Sequence, residues 1–233
     1  MIIDDKVIFV HCPRTSGTSI RRALLKGQDP NDPENLQEVG TLRKGLFWNN
    51  QKHSYASMIK DNIDPEVWQT RLKFSVVRNP WDRMVSLYGL FRKRHAGNKV
   101  KANKFLLTIR DLPDLKNKTQ QLKFIDNAME LSFEGWIDFC MQRGWDNCLY
   151  LGEDVPLIQI PQNRWFDGLD KIFKFENREE IDNFLVDMGY EVTVPENQSE
   201  EREKDWRSYY NARTYDLVAE WYREDINRFG YGG

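Results

Sequence analysis

The sequence predicts an α/β fold, in which helices flank a mainly parallel sheet in three layers. Three short apolar runs carry this prediction: 6–12 (KVIFVHC), 72–77 (LKFSVV) and 171–175 (KIFKF). Nearly continuous runs of β-branched and aromatic residues are typical of strands that are buried on both faces. Turn residues and then a helical spacing of apolar residues follow each run, and this repeated strand–turn–helix order indicates a parallel sheet.

The first two units begin their helices at recognisable residues. After the first run, a turn over 13–19 leads into apolar residues at helical spacing from Ile20 to Leu25. After the second run, Asn79 is a good N-cap and Pro80 a good first helical residue, so a helix is predicted from Pro80 to about Arg94.

The third unit and the remaining helices complete the prediction. Asn177 is expected to cap a helix that ends near Gly189, and apolar spacing predicts a further helix over 132–143. Residues 211–228 have the pattern of one long amphipathic helix. Because no repeat, linker or composition change divides the chain, a single domain over 1–233 is predicted.

Composition excludes several classes of protein. The 233 residues carry 34 Lys+Arg against 36 Asp+Glu, a formal net charge of -2, which argues against a general nucleic-acid coat. With 40% hydrophobic residues, the chain does not have the composition of a disordered protein. Its three cysteines make neither a disulfide framework nor a zinc motif, and no apolar run reaches the roughly 20 residues that cross a bilayer. Reduced thiols and a cytoplasmic location are therefore predicted.

The turn after the first strand is a candidate anion site. Ser16, Gly17, Thr18 and Ser19 would bring backbone N–H groups and hydroxyls to a helix N-terminus, and Arg14 adds a positive charge. An ordinary capped turn is the alternative interpretation. The loop is not a Walker A sequence, since Thr18 stands where that motif has its lysine, and this weakens an ATPase interpretation.

A second candidate anion site follows the second strand. Arg78 ends that strand, and Ser86 lies on the next helix, about 9 Å along its axis from Pro80 at ~1.5 Å per residue. The Arg78 side chain could therefore converge with Ser86 on one anion. A purely structural role is the alternative, with a cap at Asn79 and Asp82 in the first helical turn.

Both motifs resemble those of a known family. The segment 10–19 (VHCPRTSGTS) looks like the 5′-phosphosulfate loop of sulfotransferases, usually P-K-T-x-G-T-S. The segment 74–88 (FSVVRNPWDRMVSLY) resembles their 3′-phosphate motif, R-[ND]-P-x-[DE]-R-x-x-S-x-Y. Order and spacing are similar to the carbohydrate branch with heparan and chondroitin sulfotransferases and to prokaryotic relatives. The resemblance covers most of the chain and is weakest over 99–159.

The resemblance implies a P-loop-NTPase-like sulfotransferase fold and its reaction. A sulfuryl group would move in line from 3′-phosphoadenosine 5′-phosphosulfate (PAPS) to an acceptor hydroxyl, expected on a carbohydrate, and leave adenosine 3′,5′-bisphosphate (PAP). No metal is required, and neither a nucleic acid nor a membrane is an expected partner. The 5′ end of the donor would be bound by Arg14, Thr15, Ser16, Gly17, Thr18 and Ser19, and its 3′-phosphate by Arg78 and Ser86.

The chain departs from the family at one position, because Arg14 replaces the usual lysine. An arginine can stabilise developing charge, but with a pKa above about 12 it does not donate a proton. Arg14 is therefore expected to be an electrostatic stabiliser and a catalytic residue. A catalytically silent nucleotide-binding module stays open as an alternative, as does a nucleotide kinase or NTPase.

An alcohol acceptor needs a base, and histidine suits neutral pH. The chain has three histidines: His11 lies in an apolar run, His95 follows a charged stretch, and His53 lies between the two phosphate motifs. Related glycan sulfotransferases have a histidine base in a similar H-x-x-[AS] stretch. His53 is accordingly predicted to be the catalytic base, with a capping or surface role as the alternative.

Overall fold

A computed structural model describes five stretches of the chain, residues 2–25, 53–96, 131–142, 160–192 and 205–232. They belong to two compact units. The first unit comprises Met1–Asn79, Pro161–Gln198 and Tyr222–Gly233, and the second comprises Pro80–Ile160 and Ser199–Trp221. Each unit is described by itself, and the single domain over 1–233 stays a prediction.

The first unit contains a small sheet with the predicted parallel core. Its strands are β1 (Ile2–Ile3), β2 (Val7–Phe9), β3 (Leu72–Val77) and β4 (Lys171–Lys174), adjacent in that order. β2, β3 and β4 are parallel, while β1 pairs antiparallel with β2. The α/β class and the three parallel strands are therefore confirmed, and an antiparallel edge strand is added.

The described helices follow the strands as predicted. In chain order they are α1 (Gly17–Leu24), α2 (Ala56–Asn62), α3 (Pro65–Thr70), α4 (Pro80–Ala96), α5 (Phe133–Gln142), α6 (Arg178–Asp187), α7 (Ala212–Trp221) and α8 (Arg223–Phe229). Two short 3₁₀ helices cover Gln162–Trp165 and Trp206–Tyr209. None of the helices in the described stretches has the length and apolar character needed to span a membrane.

The main core of the first unit lies on one face of the sheet. Alternate residues of the parallel strands, such as Phe9, Phe74 and Phe173, pack there against apolar side chains of α1 and α6. The side chains that α1 contributes include Ile20 and Leu24, both buried. Because successive residues of a strand point to opposite faces, this packing fixes the register of the parallel strands.

The second unit is organised around aromatic rings. Trp81, in the first turn of α4, stacks with Tyr215 of α7 at 4.5 Å and with Trp206 at 5.9 Å between ring centroids. The Trp81 Nε1–H also donates to the Tyr215 carbonyl. At the surface, Arg213 of α7 forms ion pairs with Glu134 and Asp138 of α5.

Two local predictions need correction. The helix predicted over 211–228 is broken at Tyr222, because α7 packs within the second unit whereas Tyr222 and Asp225 are buried in the first. Asn177 occupies the N-cap position of α6, but its side chain makes no capping bond to the backbone and donates to Glu180 Oε2 instead.

Candidate active site

Hydrogen bonds to β3 and within the loop hold the segment between β2 and α1. The Val10 N–H donates to the Phe74 carbonyl, which continues the parallel pairing past the end of β2. Thr15, fully buried, donates its hydroxyl to the Cys12 carbonyl at 2.9 Å. Ser19 donates its hydroxyl to the Ser16 carbonyl at the start of α1, also at 2.9 Å. These hydrogen bonds give the loop a defined shape.

Two residues of this loop have left-handed backbone conformations. Arg14 has φ 69° and Ser16 has φ 66°, values that cost a residue with a Cβ about 1–2 kcal/mol. Ser16 occupies the N-cap position of α1 and makes no side-chain capping bond. The first-turn N–H groups of α1 therefore receive no capping bond from the Ser16 side chain.

Gly17 approaches a histidine ring more closely than any other residue type could. A Cβ built on Gly17 would lie 1.7 Å from His11 Nε2. The His11 ring has little room to move, since its residue is 4% exposed and its ring stacks with Phe9 at 5.8 Å. His11 is therefore a packed residue beneath the loop, and its ring explains why position 17 is a glycine.

His53 lies beside His11 and is oriented by the His11 backbone. The centroids of the two rings are 4.3 Å apart, and His53 Nδ1 is 3.1 Å from the His11 carbonyl oxygen. Since a carbonyl only accepts hydrogen bonds, Nδ1 is the donor in this contact. The His53 backbone is held too, because its carbonyl accepts from Trp165 Nε1 at 2.8 Å.

Arg78 joins the segments that follow β2 and β3. It is 6% exposed, and its Nη1 donates to the Arg14 carbonyl at 3.1 Å. The guanidinium lies 4.1 Å above the Phe175 ring, just past the end of β4. The three parallel strands thus bring the loop, Arg78 and Phe175 together at one edge of the sheet.

The amino-acid sequence as a whole matches a known protein family. The sequence matches the sulfotransferase family over residues 1–232. The chain belongs to the sulfotransferase family. It is therefore a transferase, with a small-molecule nucleotide donor and an acceptor as its substrates. Searches of curated proteins and of solved structures find no match.

Three residues that the sequence analysis did not assign to a site contact Arg78, Asn79 or each other. Glu176 Oε1 accepts from the Asn79 N–H at 2.6 Å, and its Oε2 accepts from the Tyr231 hydroxyl at 3.0 Å. Burial and then the Glu176 charge raise the pKa of Tyr231, so its hydroxyl keeps its proton and donates. Gln162, fully buried, binds the Arg78 backbone.

Ser86 and Ser19 are two further predicted site residues of this sulfotransferase, and they lie in different units. Ser86 belongs to the second unit, where it is buried on α4, so its pairing with Arg78 stays a prediction. Ser19 accepts a hydrogen bond from Arg178 Nη1 at 3.2 Å, which brings a third arginine to the start of α1. Arg178 also pairs with Asp182 at 2.7 Å.

The described residues include one cysteine side chain, that of Cys12. Cys12 is a buried free thiol at the end of the first apolar run. Cys148 and the side chains of Cys140 and His95 lie outside the described residues. Within the described stretches, no group of three or more His, Cys, Asp or Glu side chains is arranged to hold a metal ion.

Proposed function

We propose that the chain transfers a sulfuryl group from PAPS to the hydroxyl of an acceptor, with a carbohydrate as the acceptor class. The family match supports the transfer, and the contact between Arg78 Nη1 and the Arg14 carbonyl carries the choice of donor. That contact joins the two segments that resemble phosphate motifs. A nucleotide with phosphate on both its 3′ and 5′ sides needs two such segments in one site, whereas ATP needs one.

The residues of the loop fit the 5′ end of this donor. The first-turn N–H groups of α1 and the charge of Arg14 suit a phosphosulfate, and the bare Cα of Gly17 lets the backbone come close to it. In the proposal, Arg14, Thr15, Ser16, Gly17, Thr18 and Ser19 bind the 5′ end, while Arg78 and Ser86 bind the 3′-phosphate. A three-layer, P-loop-like arrangement of the whole fold accompanies this proposal.

The chain's own residues supply positioning and charge. PAPS, when bound, provides a sulfuryl group on a good leaving group, so that an S–O bond to the acceptor forms as the S–O bond to the nucleotide breaks. Arg14 stabilises the negative charge that develops on the leaving oxygen. His53 Nε2 takes the proton of the acceptor hydroxyl, while Nδ1–H stays on the His11 carbonyl.

The replacement of the usual lysine by Arg14 favours a second candidate, a nucleotide-binding module without turnover. Such a module would keep the loop, Arg78 and the affinity for the bisphosphate. The kinase or NTPase alternative is disfavoured by Thr18 at the Walker lysine position and by the family match. The sulfotransferase and the silent module would both bind the bisphosphate, whereas a kinase or NTPase would bind ATP. Only the sulfotransferase would turn over.

Calorimetric titration with adenosine 3′,5′-bisphosphate, beside ATP with and without Mg²⁺, tests the donor. We expect metal-independent binding of the bisphosphate and little binding of ATP. Tight, Mg²⁺-dependent binding of ATP with no response to the bisphosphate would contradict the proposal. Transfer from labelled PAPS to a panel of carbohydrate acceptors then separates the enzyme from the silent module.

The base assignment is tested by His53→Asn. The Asn Nδ2–H takes the place of His53 Nδ1–H and can still donate to the His11 carbonyl, but the side chain cannot accept a proton, so we expect kcat to fall by about 10²–10⁴-fold. Bisphosphate affinity should be unchanged. His95→Asn is the matched control and should keep full activity. Normal turnover of His53→Asn with an alcohol acceptor would rule out His53 as the base.

A further inference from the structure

The side chain of Gln162 pairs with the backbone of Arg78. Its Oε1 accepts from the Arg78 N–H at 3.0 Å, and its Nε2 donates to the Arg78 carbonyl at 2.7 Å. Gln162 is fully buried, and Arg78 is almost so. One amide group thus satisfies both backbone polar groups of the residue that carries the candidate 3′-phosphate guanidinium.

The geometry of the sheet explains why Arg78 needs this partner. Backbone polar groups of successive strand residues point alternately to the two neighbouring strands. The Phe74 carbonyl accepts from Val10 on the β2 side, and the Val77 carbonyl accepts from Phe175 on the β4 side. The polar groups of Arg78 therefore face the β2 side, beyond Phe9, where β2 has ended. Gln162 stands where the next residues of a longer β2 would have been.

A buried carboxylate holds Gln162 in place. Asp225, fully buried in α8, accepts from the backbone N–H groups of Gln162 and Asn163, each at 2.7 Å. Its Oδ2 also lies 3.4 Å from Gln162 Nε2, the atom that donates to Arg78. A buried charge is tolerated only where such donors surround it, so Asp225 and the start of the Gln162–Trp165 3₁₀ helix fix each other.

We propose that Gln162, held by Asp225, is a positioning residue that sets the place of Arg78 for the 3′-phosphate. This inference rests on the proposed function. Without the amide, the N–H and carbonyl of Arg78 lose these two hydrogen bonds, and we expect the strand end to shift. A displacement of about 1 Å in a positioned group can cost on the order of 10²-fold.

The test uses two nucleotides that differ only in the 3′-phosphate. Gln162→Met keeps the length of the side chain and removes both polar atoms. We expect its affinity for adenosine 3′,5′-bisphosphate to fall by about 10-fold or more, and its affinity for adenosine 5′-phosphate to change by less than about twofold. In an Arg78→Ala background, Gln162→Met should cause no further loss. If Gln162 had only a general structural role, Gln162→Met would weaken the binding of both nucleotides equally.

Controls separate the failure of this inference from the failure of the proposed function. Gln69→Met changes an exposed glutamine of α3 and should bind both nucleotides normally. If Gln162→Met does not fold, Asp225→Asn, which keeps the shape but weakens the hold on Gln162, should show the same selective loss. A wild-type chain that does not bind the bisphosphate contradicts the proposed function. Wild-type binding without selective loss in the variants contradicts the inference alone.

Discussion

Gly17→Ala is expected to abolish binding of the donor nucleotide. The new methyl group would lie 1.7 Å from His11 Nε2, so the loop or the buried ring must move. Movement of the loop displaces the N–H groups at the start of α1, and movement of the ring disturbs the packing against Phe9 and the contact with His53. Overpacking of this kind costs about 1–3 kcal/mol in stability. Titration with adenosine 3′,5′-bisphosphate should show a loss of at least about 100-fold.

Two variants make this prediction specific. Gly89→Ala, in α4, adds a methyl group that meets nothing within 4 Å, and it should bind normally and unfold no more easily than wild type. Adding His11→Ala to Gly17→Ala removes the ring that the methyl group would strike, and should restore part of the affinity. Full binding by the Gly17→Ala single variant would show that the loop does not approach the ligand through its backbone.

Arg14→Ala is expected to remove transfer while leaving part of the nucleotide affinity. The guanidinium would act on charge that develops during transfer, a contribution of about 10²–10³-fold in kcat for one such group. The backbone carbonyl of Arg14, which accepts from Arg78, is untouched by the substitution, so the contact between the two segments remains. The measurement compares kcat for transfer from PAPS with the dissociation constant of the bisphosphate.

Arg14→Lys is the conservative counterpart and introduces the lysine of the motif that the loop resembles. It should retain turnover, since the loop keeps its positive charge. Arg223→Ala, at an exposed position of α8, should behave as wild type. If Arg14→Ala turns over normally, Arg14 takes no part in the mechanism and belongs to the binding loop alone.

The parallel strands could be predicted because their signal is local. Four of the six residues in the run 72–77 are apolar, and the bounds of the run match those of β3, whose residues from Lys73 to Val77 are buried. Burial on both faces leaves this mark in consecutive residues, which a single sequence displays. The loop after β2 and Arg78 were found for the same reason, as each lies in a continuous motif.

Contacts between residues that are distant in the sequence could not be predicted from local patterns. Gln162 binds Arg78 across 84 positions of sequence, and Asp225 binds Gln162 across 63. In the sequence, Gln162 is a polar residue after a proline, and Asp225 looks like part of the solvent face of one long helix. The break at Tyr222 was missed because periodicity does not show that Asp225 turns inward to receive backbone N–H groups.

The contact between Asp225 and Gln162 also orders events during synthesis of the protein. Chains are made from the N-terminus, and β3 leaves the ribosome long before α8 does. Until residue 225 has emerged, Gln162 lacks the carboxylate that holds its backbone, and the end of β3 lacks its finished support. With the role proposed for Gln162, the parallel strands can pair before α8 folds, but Arg78 is fully positioned only after α8 has folded.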